Sequence, residues 1–167
     1  LWNINPLESL NDYLDEDLSY YTMISITRKN TAEVSLIYNI KDDIYISAMK
    51  GEGAMIEKEK LRAPNSTSNI TRFICDNDLI SSNIIKMNHY KRYSSGSIVR
   101  DTLKLINGEI DFILIDDFDF IRYQALYLIC REASLIVELR RTNNDNKWMF
   151  IASKAKIFNN ILQLIKY

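Results

Sequence analysis

Glycine is scarce: four residues among 167, about 2% where soluble domains usually carry about 7%. Proline and cysteine occur twice each and histidine once. So few glycines argue against an enzyme that cradles phosphates on glycine-rich turns. Cys75 and Cys130 each sit in an apolar run, which suits small buried thiols better than a disulfide or metal ligands. His89 has no neighbouring Cys or acid to orient it as a base and reads as a surface residue. No apolar stretch approaches the roughly 20 residues needed to cross a bilayer, and no charged-then-apolar leader opens the chain. Net charge is −1, from 21 basic and 22 acidic residues spread along the chain. That balance leaves no electrostatic footprint for nucleic acid or anionic lipid. The expectation is a soluble, intracellular protein, cytoplasmic or within an organelle, with no membrane span and no nucleic-acid partner. The first residue is Leu1 and not methionine, so the expectation is a chain that is processed, trimmed or partial.

Hydrophobic residues make up 47% of the sequence and charged residues 26%, enough apolar material for one domain spanning 1–167. Residues 1–18, polar and acidic around Pro6, lack a two-residue or 3.6-residue apolar period and read as a loop. From Tyr20 three alternating runs follow, ending near Thr27, Tyr38 and Met49, and they predict an antiparallel meander. Gly51-Glu52-Gly53 predicts a tight turn into another short strand, and residues 62–70 a loop. The glycosylation-like triplets at Asn65 and Asn69 are read as chance matches. Beyond Thr71 the pattern alternates. It predicts strands at 71–75, 111–115, 135–139 and 148–152, and helices from Ser97 to an Asn107-Gly108 cap, over 121–133 and over 154–166. Strands followed by alternating helix and strand argue for layered α/β packing.

Two local patterns carry candidate chemistry. Asp116-Asp117-Phe118-Asp119 reads either as a solvated acidic loop or as hard oxygen ligands for a cation. Arg92, Ser95 and Ser97 read either as a plain helix start or as a phosphate-holding set at a helix N-terminus.

Several segments taken in order say more. Trp2-Asn3-Ile4-Asn5-Pro6-Leu7-Glu8-Ser9-Leu10 resembles, with spacing intact, the inositol monophosphatase motif Trp-x-x-Asp-Pro-Ile-Asp-Gly-Thr. The strands near Met23, Glu33 and Asp43, the Gly51-Glu52-Gly53-Ala54 turn, Gly96-Ser97 with Asp101, Gly108 with Asp111, and Arg131-Glu132-Ala133 then follow in that family's order. The resemblance implies an α+β fold, a layered αβαβα sandwich shortened at its amino end. It further implies a Mg²⁺-dependent phosphatase of small phosphate esters, such as inositol phosphates or 3′-phosphoadenosine nucleotides. The departures fall on the positions that do the family's chemistry. Its two metal-binding aspartates are Asn5 and Glu8 here, its glycine and threonine are Ser9 and Leu10, and its Trp-Asp metal ligand falls on Ile121-Arg122. The implied protein is a pseudophosphatase without a cofactor, kept as an interaction or structural subunit that binds another protein or itself. The alternative is a divergent Mg²⁺ enzyme using Asn5, Glu8 and Asp119. On either reading Arg122 is expected to pair with Glu8, and the strands of the meander to leave one apolar face open.

Overall fold

A computed structural model describes residues 1–8, 14, 20–66, 69–78, 84, 90–93, 96–142 and 147–165. Among them a six-stranded antiparallel meander comes first: β1 (Trp2–Glu8), β2 (Tyr21–Arg28), β3 (Thr31–Asn39), β4 (Ile44–Met49), β5 (Gly53–Ile56) and β6 (Glu59–Leu61). In β2 every second residue is buried, Tyr21, Met23, Ser25 and Thr27, as the two-residue period of a strand dictates. Lys29 and Asn30 join β2 to β3 with φ of 49° and 61°. Two positive-φ residues in a two-residue loop match the twist of paired strands, and Asn tolerates that backbone well.

The second sheet has the order β10-β11-β9-β7-β8, from β7 (Thr71–Cys75), β8 (Tyr90–Tyr93), β9 (Phe112–Phe118), β10 (Ile136–Arg141) and β11 (Trp148–Ser153). β7 runs parallel to β8 and β9, while β9, β11 and β10 pair antiparallel. Helices α1 (Ile98–Ile106) and α2 (Gln124–Glu132) lie between the sheets, and α2 packs on β2, β3 and β4 as well as on β10. Helix α3 (Phe158–Leu164) covers the far side of the second sheet. Neighbouring residues of that sheet therefore serve two cores. Ile74, Ile113 and Phe150 face the helix pair, whereas Phe73, Phe112 and Ile151 face α3. Sheet, helix pair, sheet and helix give four layers of an αβαβα sandwich.

The segment expected to be a loop at 1–18 contains β1, a correction with a tertiary cause. Trp2 pairs with Ile26, Asn3 with Ser25 and Ile4 with Ile24, so partner strand β2 supplies what local propensity lacks. Pro6 is accommodated at a register shift between Asn5 and Glu8, where its missing N–H costs no ladder bond. Short strands β6 and β8 were not anticipated. Asp116 to Phe118 continue β9 instead of forming a loop, and α2 begins three residues later than expected. The positive-φ residue ending α1 is Gly108 (φ 81°), one beyond Asn107.

Candidate functional site: a carboxylate ringed by protein donors

Glu8 ends β1 and is 6% exposed. A turn at 119–123 delivers two side chains to it. Within that turn the Asp119 carboxylate accepts the Arg122 backbone N–H at 3.1 Å, and its carbonyl accepts from the Tyr123 amide at 3.0 Å. Arg122 Nη2 then donates to Glu8 Oε2 at 2.7 Å, and the Tyr123 hydroxyl donates to Oε1 at 2.9 Å. Asn5 Nδ2 adds a third bond, to Oε2 at 3.0 Å. Both oxygens of Glu8 are thus engaged by protein donors, and the guanidinium bond is of the charge-assisted kind. The Tyr123 ring lies against Phe118, centroids 5.2 Å apart, and the Arg122 guanidinium lies over the Tyr123 ring at 5.4 Å from its centroid. Burial, and after it the Glu8 charge and hydrogen bond, push the Tyr123 hydroxyl above its usual range.

Glu8 and Tyr123 form one wall of a cavity of about 370 Å³, which also receives Asp76, Arg92, Gly96, Asp101 and Asp116. This cavity opens at the carboxyl ends of parallel strands β7 and β9 and at the start of α1, where open α/β sheets place their ligands. Asn5, Asp119 and Arg122 line a separate cavity of about 360 Å³ together with Trp2, Asn3, Ile4 and Ile121. The Glu8–Arg122 pair stands between the two.

The anticipated residues divide as follows. Asn5, Glu8 and Arg122 are brought together directly, and Asp119 joins them through the backbone of its turn. Ser9, Leu10, Ser95 and His89 lie outside the described residues. Ser97 is the N-cap of α1, its Oγ accepting from the Arg100 amide at 3.3 Å. Arg92 lines the larger cavity and is bonded to Asp78 at 2.9 Å. Asp116 accepts from Asn77 Nδ2 at 2.9 Å, and its amide donates to Asp76 at 2.7 Å. Among the described residues no three His, Cys, Asp or Glu side chains converge as a metal-holding group.

Tyr123 and Asp76 were not singled out from the sequence. An acidic residue directly after a strand is a signal for Asp76 once the strand is known to be parallel, and that pairing was not legible. Cys75 borders the same cavity with its thiol pushed up to about 11 by burial, so it is inert at neutral pH.

The remaining motif positions are occupied structurally. The Glu132 carboxylate accepts the Gly51 and Gly53 amides, both at 3.0 Å, tying α2 to the β4–β5 turn. Asp111 is sealed among Lys154 Nζ at 2.7 Å and the Arg72 amide at 2.8 Å. No helix among the described residues is long and apolar enough to cross a membrane.

No protein-family model matches the sequence. Among characterised proteins it is similar to Nus factor SuhB of Buchnera aphidicola subsp. Schizaphis graminum, at 26% identity over 164 residues, covering 88% of this chain and 59% of that protein. The chain therefore spans less than two thirds of the relative's length. The fold is similar to that of extragenic suppressor protein SuhB from Bartonella henselae, with a TM-score of 0.79 and 21% identity over 99% of this chain and 72% of that one. It is also similar to inositol monophosphatase from Anabaena (Nostoc) sp. PCC 7120, with a TM-score of 0.81 and 17% identity over 99% and 71%. The ordered motifs and the sequence resemble those of the inositol monophosphatase and SuhB proteins, and the fold is the one these proteins share.

Proposed function

We propose that this chain is a pseudophosphatase, a family member whose metal corner has become an ion pair and whose role is that of an interaction or structural subunit. The observation that carries the reading is the 2.7 Å bond from Arg122 to Glu8. Magnesium needs near-octahedral oxygen ligation, both to generate a nucleophilic water and to neutralise charge developing on phosphate. The donor set at this corner does not fit that ion. A guanidinium repels it, Asn5 supplies an amide in place of a carboxylate, and both oxygens of Glu8 are already hydrogen-bonded. Arg122 in turn gives the buried Glu8 the counter-charge it requires.

The test is phosphate release from inositol phosphates and 3′-phosphoadenosine nucleotides in millimolar Mg²⁺. The expected result is no chelator-sensitive turnover, and turnover that vanishes with chelator and returns with metal overturns the reading. One observation favours the second reading, a divergent phosphatase: Asn5 and Asp119 border a single cavity with Arg122. In that case the same assay is positive, and Asp119→Asn abolishes it.

A further inference from the structure

Each sheet ends in two edge strands, and the four edges are not equally guarded. In the meander, β1 carries Pro6 and a register shift, and β6 is three residues long. In the second sheet, β8 is four residues long and holds two cations, Lys91 and Arg92. β10 has none of these guards. Its six residues keep an unbroken register with β11, from Ile136 opposite Ser153 to Arg141 opposite Trp148, without proline or bulge. The phase of that ladder follows from the next pair, where the Thr142 amide donates to the Lys147 carbonyl at 3.3 Å. Hydrogen-bonded pairs recur at every second residue, so Ile136, Glu138 and Arg140 bond to β11. The N–H and C=O groups of Val137, Leu139 and Arg141 therefore face outward. No other strand among the described residues pairs with that edge.

Charge is arranged beside it. Arg131 on α2 lies over the Tyr127 ring at 5.8 Å, and Tyr127 meets Phe120 edge-on at 5.4 Å. Phe120 meets Trp148 at 6.2 Å, and Arg141 lies over Trp148 at 5.5 Å. Arg131 and Arg141 are both exposed, and neither has a carboxylate partner among the described residues. A guanidinium stacked on a ring still presents its N–H fork to a carboxylate. Alternate residues of a strand point to opposite faces, so Arg141 shares the face of Val137 and Leu139, which pack toward the helix pair. Arg140, on the other face, is held by Glu138 at 2.6 Å.

We propose that the β10 edge docks an extended acidic segment of another protein, which joins the second sheet as a sixth strand. The proposal rests on the interaction role given above and names its surface and the chemistry of its partner. The outward backbone groups of Val137, Leu139 and Arg141 supply a ladder that any extended chain can complete. The two stacked arginines supply the selection, because an added strand sends every second side chain to their face and carboxylates there meet unpaired cations. Pairing with a second copy of β10 is opposed, since it brings two more unpaired arginines to the same face.

The test is fluorescence anisotropy of a labelled peptide of about eight residues, alternating glutamate and valine, titrated with this chain. The expected result is saturable binding below millimolar protein, lost when lysine replaces glutamate and lost when every backbone amide of the peptide is N-methylated. Arg141→Glu, at an exposed position, weakens binding about tenfold, and Arg131→Glu is the second variant, with a smaller loss in the same direction. Unchanged thermal unfolding shows that both variants remain folded. Absence of saturable binding overturns the proposal. Binding that survives N-methylation overturns it too, because charge alone then suffices, as does binding that neither arginine variant weakens. A dimer in sedimentation velocity that excludes the peptide assigns the edge to a second copy and also overturns it. Phosphate-release assays on the same samples read the loss of catalysis separately, so either proposal can fail alone.

Discussion

Glu8 and Asp111 are both carboxylates nearly sealed from solvent, each facing a cation, and they differ in what lies beyond that cation. Asp111 meets Lys154 at 2.7 Å with both side chains almost fully buried, 1% and 2% exposed. Lys154 continues to the Ser66 carbonyl at 3.1 Å, and Arg72, which also faces Asp111, continues to the Gly108 carbonyl at 2.8 Å. Gly108 is held close to Pro64, where a Cβ on Gly108 would come within 2.5 Å of the ring. This network fastens the connection between the two sheets to the end of α1. Glu8 meets Arg122 at the same 2.7 Å, but that guanidinium is 48% exposed and borders a cavity. One carboxylate cross-links the fold; the other sits where the family's metal chemistry is expected and is held by donors from its own chain. The motif positions that match the family, Asp111 and Glu132, are those whose bonds close the structure. Of the described positions that depart from it, Asn5 and Arg122 meet at the Glu8 carboxylate.

The largest expected effect is at the sealed network. Lys154→Met leaves Asp111 with Arg72 alone and the Ser66 carbonyl without its donor, and should cost about 3 kcal/mol or more in denaturant unfolding. A loss below about 1 kcal/mol would erase the distinction between the two carboxylates. Arg122→Ala should cost about 1 kcal/mol, because its exposure screens the pair and Tyr123 and Asn5 still donate to Glu8. Combined with Glu8→Ala, the loss should fall short of additivity by a similar amount. Additive losses would mean that the 2.7 Å contact contributes nothing.

A smaller effect is expected with alkali. The Tyr123 hydroxyl is raised in the folded state above its ordinary 10.0, so the fold favours its protonated form. That stability is complete below about pH 10 and is lost as pH rises through the folded value. Tyr123→Phe should flatten the decline between pH 9 and pH 11 in thermal-unfolding scans at about that range. The smallest effect is chemical: with its thiol near 11, Cys75 should react with iodoacetamide far more slowly at neutral pH than a free thiol does.

Much of the fold was legible. The alternation in Tyr21–Arg28 and Thr31–Asn39 is a strand signal that needs no tertiary help, and Ser97 announces α1. β1 was not legible, because Asn3, Asn5 and Pro6 are poor strand formers and only the register with β2 makes them one. β8 hid behind Lys91 and Arg92, whose charge disguises a strand paired on one side to β7. At the site, Asn5, Glu8 and Arg122 came from counting along a motif, and the fold brings them together. Tyr123 has no pattern of its own; it matters because the turn begun at Asp119 points two successive side chains at one carboxylate. Lys154 was missed for a similar reason: nothing in Ser153-Lys154-Ala155 reveals that the chain passes over Asp111 there.

The central claim, that an ion pair stands where a metal would be held, is tested most directly by titrating Mg²⁺ and Mn²⁺ calorimetrically into this chain and into Arg122→Asp. The account predicts no saturable heat for the parent at millimolar metal, and weak binding gained by the variant, which places a second carboxylate beside Glu8. Saturable binding by the parent that equals or exceeds the variant's would contradict it.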